Sequence, residues 1–105
     1  MHTKYVHSKI TIIDSGFLIQ TANLTHSSFA TNREYFFWSV DTGVLMSLKT
    51  IFQKDREGKT LLKTDIHPNL VICNLNCRPT IEYLIQSATK SITIQNQYID
   101  DIHIQ

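Results

Sequence analysis

The chain has 105 residues, of which 42% are hydrophobic and 18% charged, a balance typical of a folded domain rather than a disordered chain. This length fits one small domain and excludes an architecture with two full enzyme lobes. The net charge of +1 forces no basic face, so nothing global argues for a nucleic acid or an anionic membrane as partner. The sequence predicts neither a transmembrane helix nor a signal peptide, and it assigns no compartment.

The first elements along the chain form a predicted hairpin. Residues 8–13 are rich in β-branched side chains and residues 17–20 are mostly apolar, and the Asp14-Ser15-Gly16 stretch between them is a turn signal. Counting outward from Ser15 puts residue 23 across the hairpin from residue 7.

The next segments predict a short connection and a third strand. Residues 25–30 are small and polar, which is typical of a short helix or loop. Residues 33–40 hold an aromatic run and favour a buried strand. We expect Phe36, Phe37 and Trp38 to lie in the core rather than on a lipid-binding face, because they alternate along this strand.

A helix is predicted after the third strand. Asp41 is a suitable N-cap, and the helix is expected to end near Lys54. Its apolar face is formed by residues at helical spacing, namely Val44, Leu48, Ile51 and Phe52. Residues 55–64 are charged, contain a glycine and indicate a surface connector.

The second half of the chain predicts a strand, a helix and another strand. Residues 70–73 and 92–95 have strand character, and Pro79 suits the first turn of the helix between them. The apolar stripe of this helix comprises Ile81, Leu84, Ile85 and Ala88. Residues 100–105 are expected to begin a further helix, which explains Asp100 and Asp101 more simply than metal ligation. The element order predicts an α/β fold.

Cys73 and Cys77 are the two cysteines of the chain. They fit half of a zinc site, a redox pair or two ordinary thiols. A structural zinc usually needs four ligands, and the nearest histidines, His67 and His103, make a poor set. We therefore expect no metal and no cofactor.

His7 and Lys9 stand two residues apart at the start of the first strand, so their side chains share one face. An imidazole beside a fixed positive charge suits a phosphate group. Asp14 has the opposite parity and lies about 20 Å or more away at about 3.3 Å per residue, so we expect a structural role for it in the turn.

Three more polar residues are expected near this pair. The hairpin brings Asn23 close to His7, and Thr21 lies just before it. Glu34 is a lone carboxylate among apolar neighbours at the start of the third strand. Because a buried carboxylate needs a partner, we expect it to orient the His7 ring and to raise its basicity. A salt bridge to Arg33 is the alternative.

The pattern His7-x-Lys9-x4-Asp14, then Gln20-Thr21-Ala22-Asn23, then Asn32-Arg33-Glu34, resembles the phospholipase D superfamily, including its cardiolipin synthase-like members. That family carries an HxKxxxxD motif, a Gly-Ser-x-Asn segment and a downstream acidic residue. This chain departs from the pattern by having Gln20-Thr21 in place of Gly-Ser and a turn one residue shorter.

The second half of the chain resembles the opening of a repeat in the same superfamily. Such a repeat opens with a strand, continues with a helix whose sequence is similar to residues 81–88, and then forms another strand. The resemblance implies an incomplete phospholipase D-like fold, with a mixed sheet flanked by helices. It predicts residues 1–55 as the C-terminal part of one repeat, 56–66 as a linker and 67–105 as the N-terminal part of a second repeat. Because His7 lies so near Met1, the chain is expected to be a fragment of a longer protein.

What the resemblance implies is phosphodiester hydrolysis or phosphatidyl transfer on phospholipids, through a phosphohistidine and without a metal. His7, Lys9 and Glu34 are the implied catalytic residues, and Lys9, Asn23 and Thr21 would bind the substrate phosphate. Whether His7 is the nucleophile or the acid stays open, although its place in the first motif favours the nucleophile.

No second HxKxxxxD stretch occurs in the chain: His26, His67 and His103 all lack the following lysine. The second half of the active site would come from the same parent chain or, as a less favoured alternative, from a homodimer. The parent is expected to be an enzyme, whereas the activity of the isolated chain stays open. The alternatives are a nuclease of the same superfamily, acting on DNA or RNA, and an inert interaction module.

Overall fold

The computed structural model describes residues 6–73, 75–96 and 98–101. The fold is mixed α/β, and its described part contains one three-stranded antiparallel sheet and three α-helices. Contacts divide the chain into two compact units, with the boundary between Asn69 and Leu70. No helix in the described ranges is both long and apolar enough to span a bilayer.

The first unit begins with the predicted hairpin, formed by β1 (Ile10–Ile13) and β2 (Gly16–Gln20). Ile13 pairs with Gly16, so only two residues form the turn, and Asp14 adopts a left-handed φ of 51° there. Aspartate is among the few residues that tolerate this conformation. The expected register is wrong by one residue, because continuing the observed pairs places residue 22 opposite residue 7.

The chain then forms α1 (His26–Ala30) and β3 (Phe36–Ser39). The short-helix alternative is confirmed for α1, which begins where the Thr25 side chain accepts a hydrogen bond from the Ser28 amide. β3 pairs with β2 in antiparallel orientation, so the sheet order is β1-β2-β3.

The aromatic side chains of β3 are not in the core, and that expectation is wrong. Phe36, Phe37 and Trp38 are 47%, 63% and 52% exposed. The reason is topological, since β3 is an edge strand and neither of its faces is fully covered by the described chain. Phe36 stacks on Phe29 with 6.3 Å between ring centroids, and Trp38 lies over Gly16, where a Cβ atom would overlap the indole ring.

The helix after the third strand is confirmed as α2 (Thr42–Glu57), which extends past its expected end. Asp41 Oδ1 accepts a hydrogen bond from the Val44 amide at 3.0 Å, as the N-cap prediction requires. Gly58 ends the helix with a left-handed φ of 68°. The buried apolar residues of this unit are Phe17 from β2, Ala22 just after it, and Val44, Leu45, Leu48 and Ile51 from α2.

The charged segment after α2 is tied back to that helix. It contains a short 3-10 helix over Lys63–Asp65, and Asp65 forms an ion pair with Lys54 at 2.5 Å between Nζ and Oδ2. Farther along, the amide of His67 donates to the buried Ser47 hydroxyl at 2.8 Å. His67 lies in a loop.

The second unit contains α3 (Cys77–Gln86), and Pro79 lies in its first turn as predicted. The two strands predicted at residues 70–73 and 92–95 are wrong, because neither segment is part of a strand in the structure. β-Branched sequence forms a strand only beside a partner strand, and all the described strands belong to the first unit. Asp100 and Asp101 are not helical either, and residues 102–105 lie outside the described residues.

Candidate functional site

The predicted pairing of His7 and Lys9 is present at the open end of the hairpin. Lys9 Nζ lies 3.3 Å from His7 Nδ1 and donates to the His7 carbonyl at 2.6 Å. The backbone amide of Gln20 donates to the backbone carbonyl of Lys9 at 3.0 Å, which extends the hairpin beyond the end of β1. Because an ammonium group has only donors, His7 Nδ1 is the acceptor in this arrangement.

A shallow depression of about 220 Å³ adjoins this end of the hairpin. Lys9 and Asn23 both line it, so the structure brings together two of the predicted phosphate-binding residues. The other lining residues are Ser8, Ile10, Thr11, Gln20, Ala22 and Leu24. A small polar ligand could meet a cation and a carboxamide here.

Gln20 is a contributor that the sequence did not single out as a site residue. Its side chain is 8% exposed and donates through Nε2 to the Ala22 carbonyl at 3.0 Å. Thr11 donates to Gln20 Oε1 at 3.4 Å. Since these bonds link β1, β2 and the segment that leads to Asn23, they fix the wall of the depression. The only sequence signal was the glutamine in place of a glycine.

Thr21 and Glu34 meet in a second polar cluster beside the first. Thr21 donates to Glu34 Oε1 at 2.6 Å, and Asn32 Nδ2 donates to Glu34 Oε2 at 3.1 Å. These two bonds, with a smaller contribution from the charge of Lys9, hold the pKa of Glu34 below its usual value. The ionised form of this carboxyl group is therefore favoured.

The surroundings of Glu34 differ from those expected. It precedes β3 and is half-buried rather than enclosed, and its partners Thr21 and Asn32 were not indicated by the sequence. Its pairing with His7 stays a prediction. Asp14 lies in the turn at the closed end of the hairpin, away from the open end where Lys9 lies.

No group of histidine, cysteine and acidic side chains in the described part of the chain could hold a metal ion. Cys73 and Cys77 are joined to each other by a disulfide. The alternative of two ordinary thiols is therefore wrong. A second HxK tripeptide, His2-Thr3-Lys4, precedes the motif but has Lys9 where an acidic residue would follow. That tripeptide lies outside the described residues.

The open end of the hairpin thus offers an imidazole, an ammonium group, a carboxamide and a hydroxyl–carboxylate pair within one small region. Such groups can bind an oxyanion, attack an electrophile and hold an ionised base. No protein-family model matches the chain, and neither a curated protein nor a solved structure matches it. What the site does must therefore be inferred from its residues and their geometry.

Proposed function

We propose that the chain carries one half of the active site of a phospholipase D-like enzyme, which hydrolyses phospholipid phosphodiesters or transfers phosphatidyl groups. The observation that supports this most directly is the contact between Lys9 Nζ and His7 Nδ1 beside a depression that Asn23 also lines. A cation held beside an imidazole is the arrangement that an attack on a phosphodiester requires.

The proposed reaction has two displacements at phosphorus. His7 attacks the phosphodiester, a P–N bond forms and the P–O bond to the leaving alcohol breaks, while a second histidine protonates the leaving oxygen. Water or an acceptor alcohol, deprotonated by that second histidine, then attacks phosphorus and breaks the P–N bond. Lys9 and Asn23 hold the non-bridging oxygens, whose negative charge grows in each transition state.

The resting contact of Lys9 fits this sequence of steps. While Lys9 donates to His7 Nδ1, the lone pair of that nitrogen is occupied. A bound phosphodiester competes for the ammonium group, because a hydrogen bond to a charged acceptor is stronger than one to a neutral imidazole. Substrate binding would then release the ring nitrogen. The bond from Thr21 favours the ionised form of Glu34, whose negative charge interacts with that of Lys9.

The second histidine belongs to a second HxKxxxxD motif, which we place in the same parent chain or, as the less favoured alternative, in a second copy. The fold we propose is the phospholipase D-like sheet flanked by helices. The exposed aromatic rings of β3 support this, since further layers of such a sheet would cover them.

Hydrolysis of bis(p-nitrophenyl) phosphate tests the assignment of His7. We expect His7→Asn to lower the rate by about 100-fold or more, as loss of a nucleophile does. His26→Asn is the matched control, because His26 is also exposed and lies at the start of α1. If two copies complete the site, the specific activity rises with protein concentration. Measurable hydrolysis at equal rates in both variants would contradict the assignment, whereas a chain that needs its second half from the parent protein shows no hydrolysis in either variant.

Titration with inorganic phosphate, followed by amide NMR shifts, tests the oxyanion site without requiring turnover. We expect Lys9→Met to weaken binding by about 10-fold, the effect of losing one charge-assisted hydrogen bond. Lys49→Met removes an exposed lysine on α2 and is expected to change nothing. The proposal fails if hydrolysis is independent of His7 and phosphate binding is independent of Lys9.

The substrate class is tested with phosphatidylglycerol in mixed micelles and with single-stranded DNA. The proposal expects cleavage of the lipid. Cleavage of DNA alone would support the nuclease alternative instead, which the net charge of +1 gives little help.

A further inference from the structure

A second reactive feature lies in the unit that begins at Leu70, outside the site described above. Cys73 and Cys77 are joined by a disulfide, with their Cα atoms 4.5 Å apart. Cys73 is exposed, whereas Cys77 is half-buried at the first position of α3. A depression of about 360 Å³ opens onto both cysteines and onto Arg78 and Pro79. A small thiol therefore has access to the sulfur of Cys73.

The two cysteines have different electrostatic surroundings. Cys77 begins a helix of 10 residues, whereas Cys73 precedes that helix. A helix N-terminus favours a thiolate over a thiol. Cys77 is consequently the better leaving group when the bridge opens.

The turn between the cysteines is also held by bonds that do not involve sulfur. Asn76 Oδ1 accepts from the Ile72 amide at 2.7 Å, and Asn76 Nδ2 donates to the Leu70 carbonyl at 2.9 Å. These bonds keep the two cysteines close after reduction, so the bridge can form again. Because the bridge closes a ring of few residues, it stabilises the fold less than a long-range bridge would.

We propose that Cys73 and Cys77 are a reversible dithiol–disulfide pair that low-molecular-weight thiols reduce by attacking Cys73. A thiolate bonds to the Cys73 sulfur, the Cys73–Cys77 bond breaks and the electron pair leaves on Cys77. A second thiol then attacks the mixed disulfide. The protein gains two electrons and two protons, and the small thiols leave as their disulfide. An oxidised small disulfide reverses both steps.

Glutathione buffers test the proposal on the whole chain. Free thiols are counted by the mass shift after maleimide labelling, and adducts are located by mass spectrometry after an acid quench. We expect the bridge to interconvert fully with the ratio of reduced to oxidised glutathione, and early adducts to lie on Cys73. The proposal would be overturned by any of three results. The thiols could stay free at every glutathione ratio, the bridge could resist reduction in the native state, or the adducts could lie mainly on Cys77.

Single-cysteine variants give an independent measurement. We expect the thiol of Cys77, left alone by Cys73→Ser, to react with iodoacetamide at pH 7 faster than that of Cys73, left alone by Cys77→Ser. A Cys77 that reacts more slowly than Cys73 would overturn the proposal. Circular dichroism of the Cys73→Ser, Cys77→Ser double variant checks that the chain still folds.

Discussion

The hydroxyl of Thr21 donates to Glu34 Oε1 at 2.6 Å and accepts the Tyr35 amide at 2.9 Å. The backbones of Thr21 and Tyr35 are also hydrogen-bonded, because the Thr21 amide donates to the Tyr35 carbonyl at 3.0 Å. One side chain therefore links the end of β2 to the chain entering β3. It also fixes the carboxylate of Glu34, whose charge interacts with that of Lys9.

Replacing Thr21 by valine should raise the pKa of Glu34 towards its usual value, because the first of its two hydrogen-bond donors is lost. A carboxyl group with a lowered pKa stabilises the fold at pH values above its ordinary pKa of about 4. This contribution to the free energy of unfolding is lost as the pH falls through the lowered pKa. Carboxyl-carbon NMR measures the titration. Thr21→Ser retains the hydroxyl and should titrate like the parent, and an unchanged Glu34 in Thr21→Val would contradict the prediction.

The ion pair between Lys54 and Asp65 should make stability depend on pH. The Lys54 ammonium group, and then the Leu62 amide, hold the pKa of Asp65 below its usual value. Their stabilising effect is present above about pH 4 and disappears as the pH falls through the lowered pKa. In Lys54→Met, urea midpoints should fall less steeply on acidification than in the parent. Parallel curves for the parent and the variant would show that the pair contributes nothing.

A side chain at Gly16 should displace the Trp38 ring, because a Cβ atom there would overlap it. Since Trp38 is half exposed and its ring has room to move, we expect Gly16→Ala to cost about 1 kcal/mol in the free energy of unfolding, the lower end of overpacking costs. Trp38 is the single tryptophan of the chain, so its fluorescence reports the displaced ring directly. In a Trp38→Ala background the same substitution should be nearly neutral. An equal cost in both backgrounds would refute this explanation.

Asp41 should stabilise α2 as its N-cap. Asp41→Ala removes the acceptor of the Val44 amide and should lower the free energy of unfolding by about 1 kcal/mol. Asp41→Asn keeps an acceptor and should remain within a few tenths of the parent. Urea unfolding followed by circular dichroism measures both variants. If the two variants lose the same stability, the side-chain charge rather than the cap is responsible.

Local patterns were sufficient to predict several elements of the first unit. The turn residues around Asp14 and the strands beside it predicted the hairpin, and Asp41 with the apolar residues that follow predicted α2. These elements depend on neighbours in sequence, through turn chemistry, capping and helical spacing. The contact between His7 and Lys9 follows for the same reason, because it joins residues two positions apart.

Features that depend on distant neighbours were predicted less well. The pairing of residue 7 was wrong by one position, because the turn has two residues and is not centred on Ser15. Residues 92–95 have a strand-like sequence, but no strand among the described residues pairs with them. The aromatic run at Phe36, Phe37 and Trp38 indicated a strand, yet a strand-like sequence does not reveal whether another layer covers either of its faces. The bonds of Glu34 to Thr21 and Asn32 needed the hairpin and the third strand to be placed first.

The exposed edge of β3 has a consequence for how the chain behaves at high concentration. Phe36–Ser39 carries no charged residue, and in the described chain it is bonded to β2 alone. Its outer amides and carbonyls, flanked by aromatic rings, are a template on which strands of other molecules can grow. We therefore expect intermolecular sheet growth through β3 to increase as concentration rises, and Phe37→Lys to reduce it, because a charge on an edge strand acts as a gatekeeper.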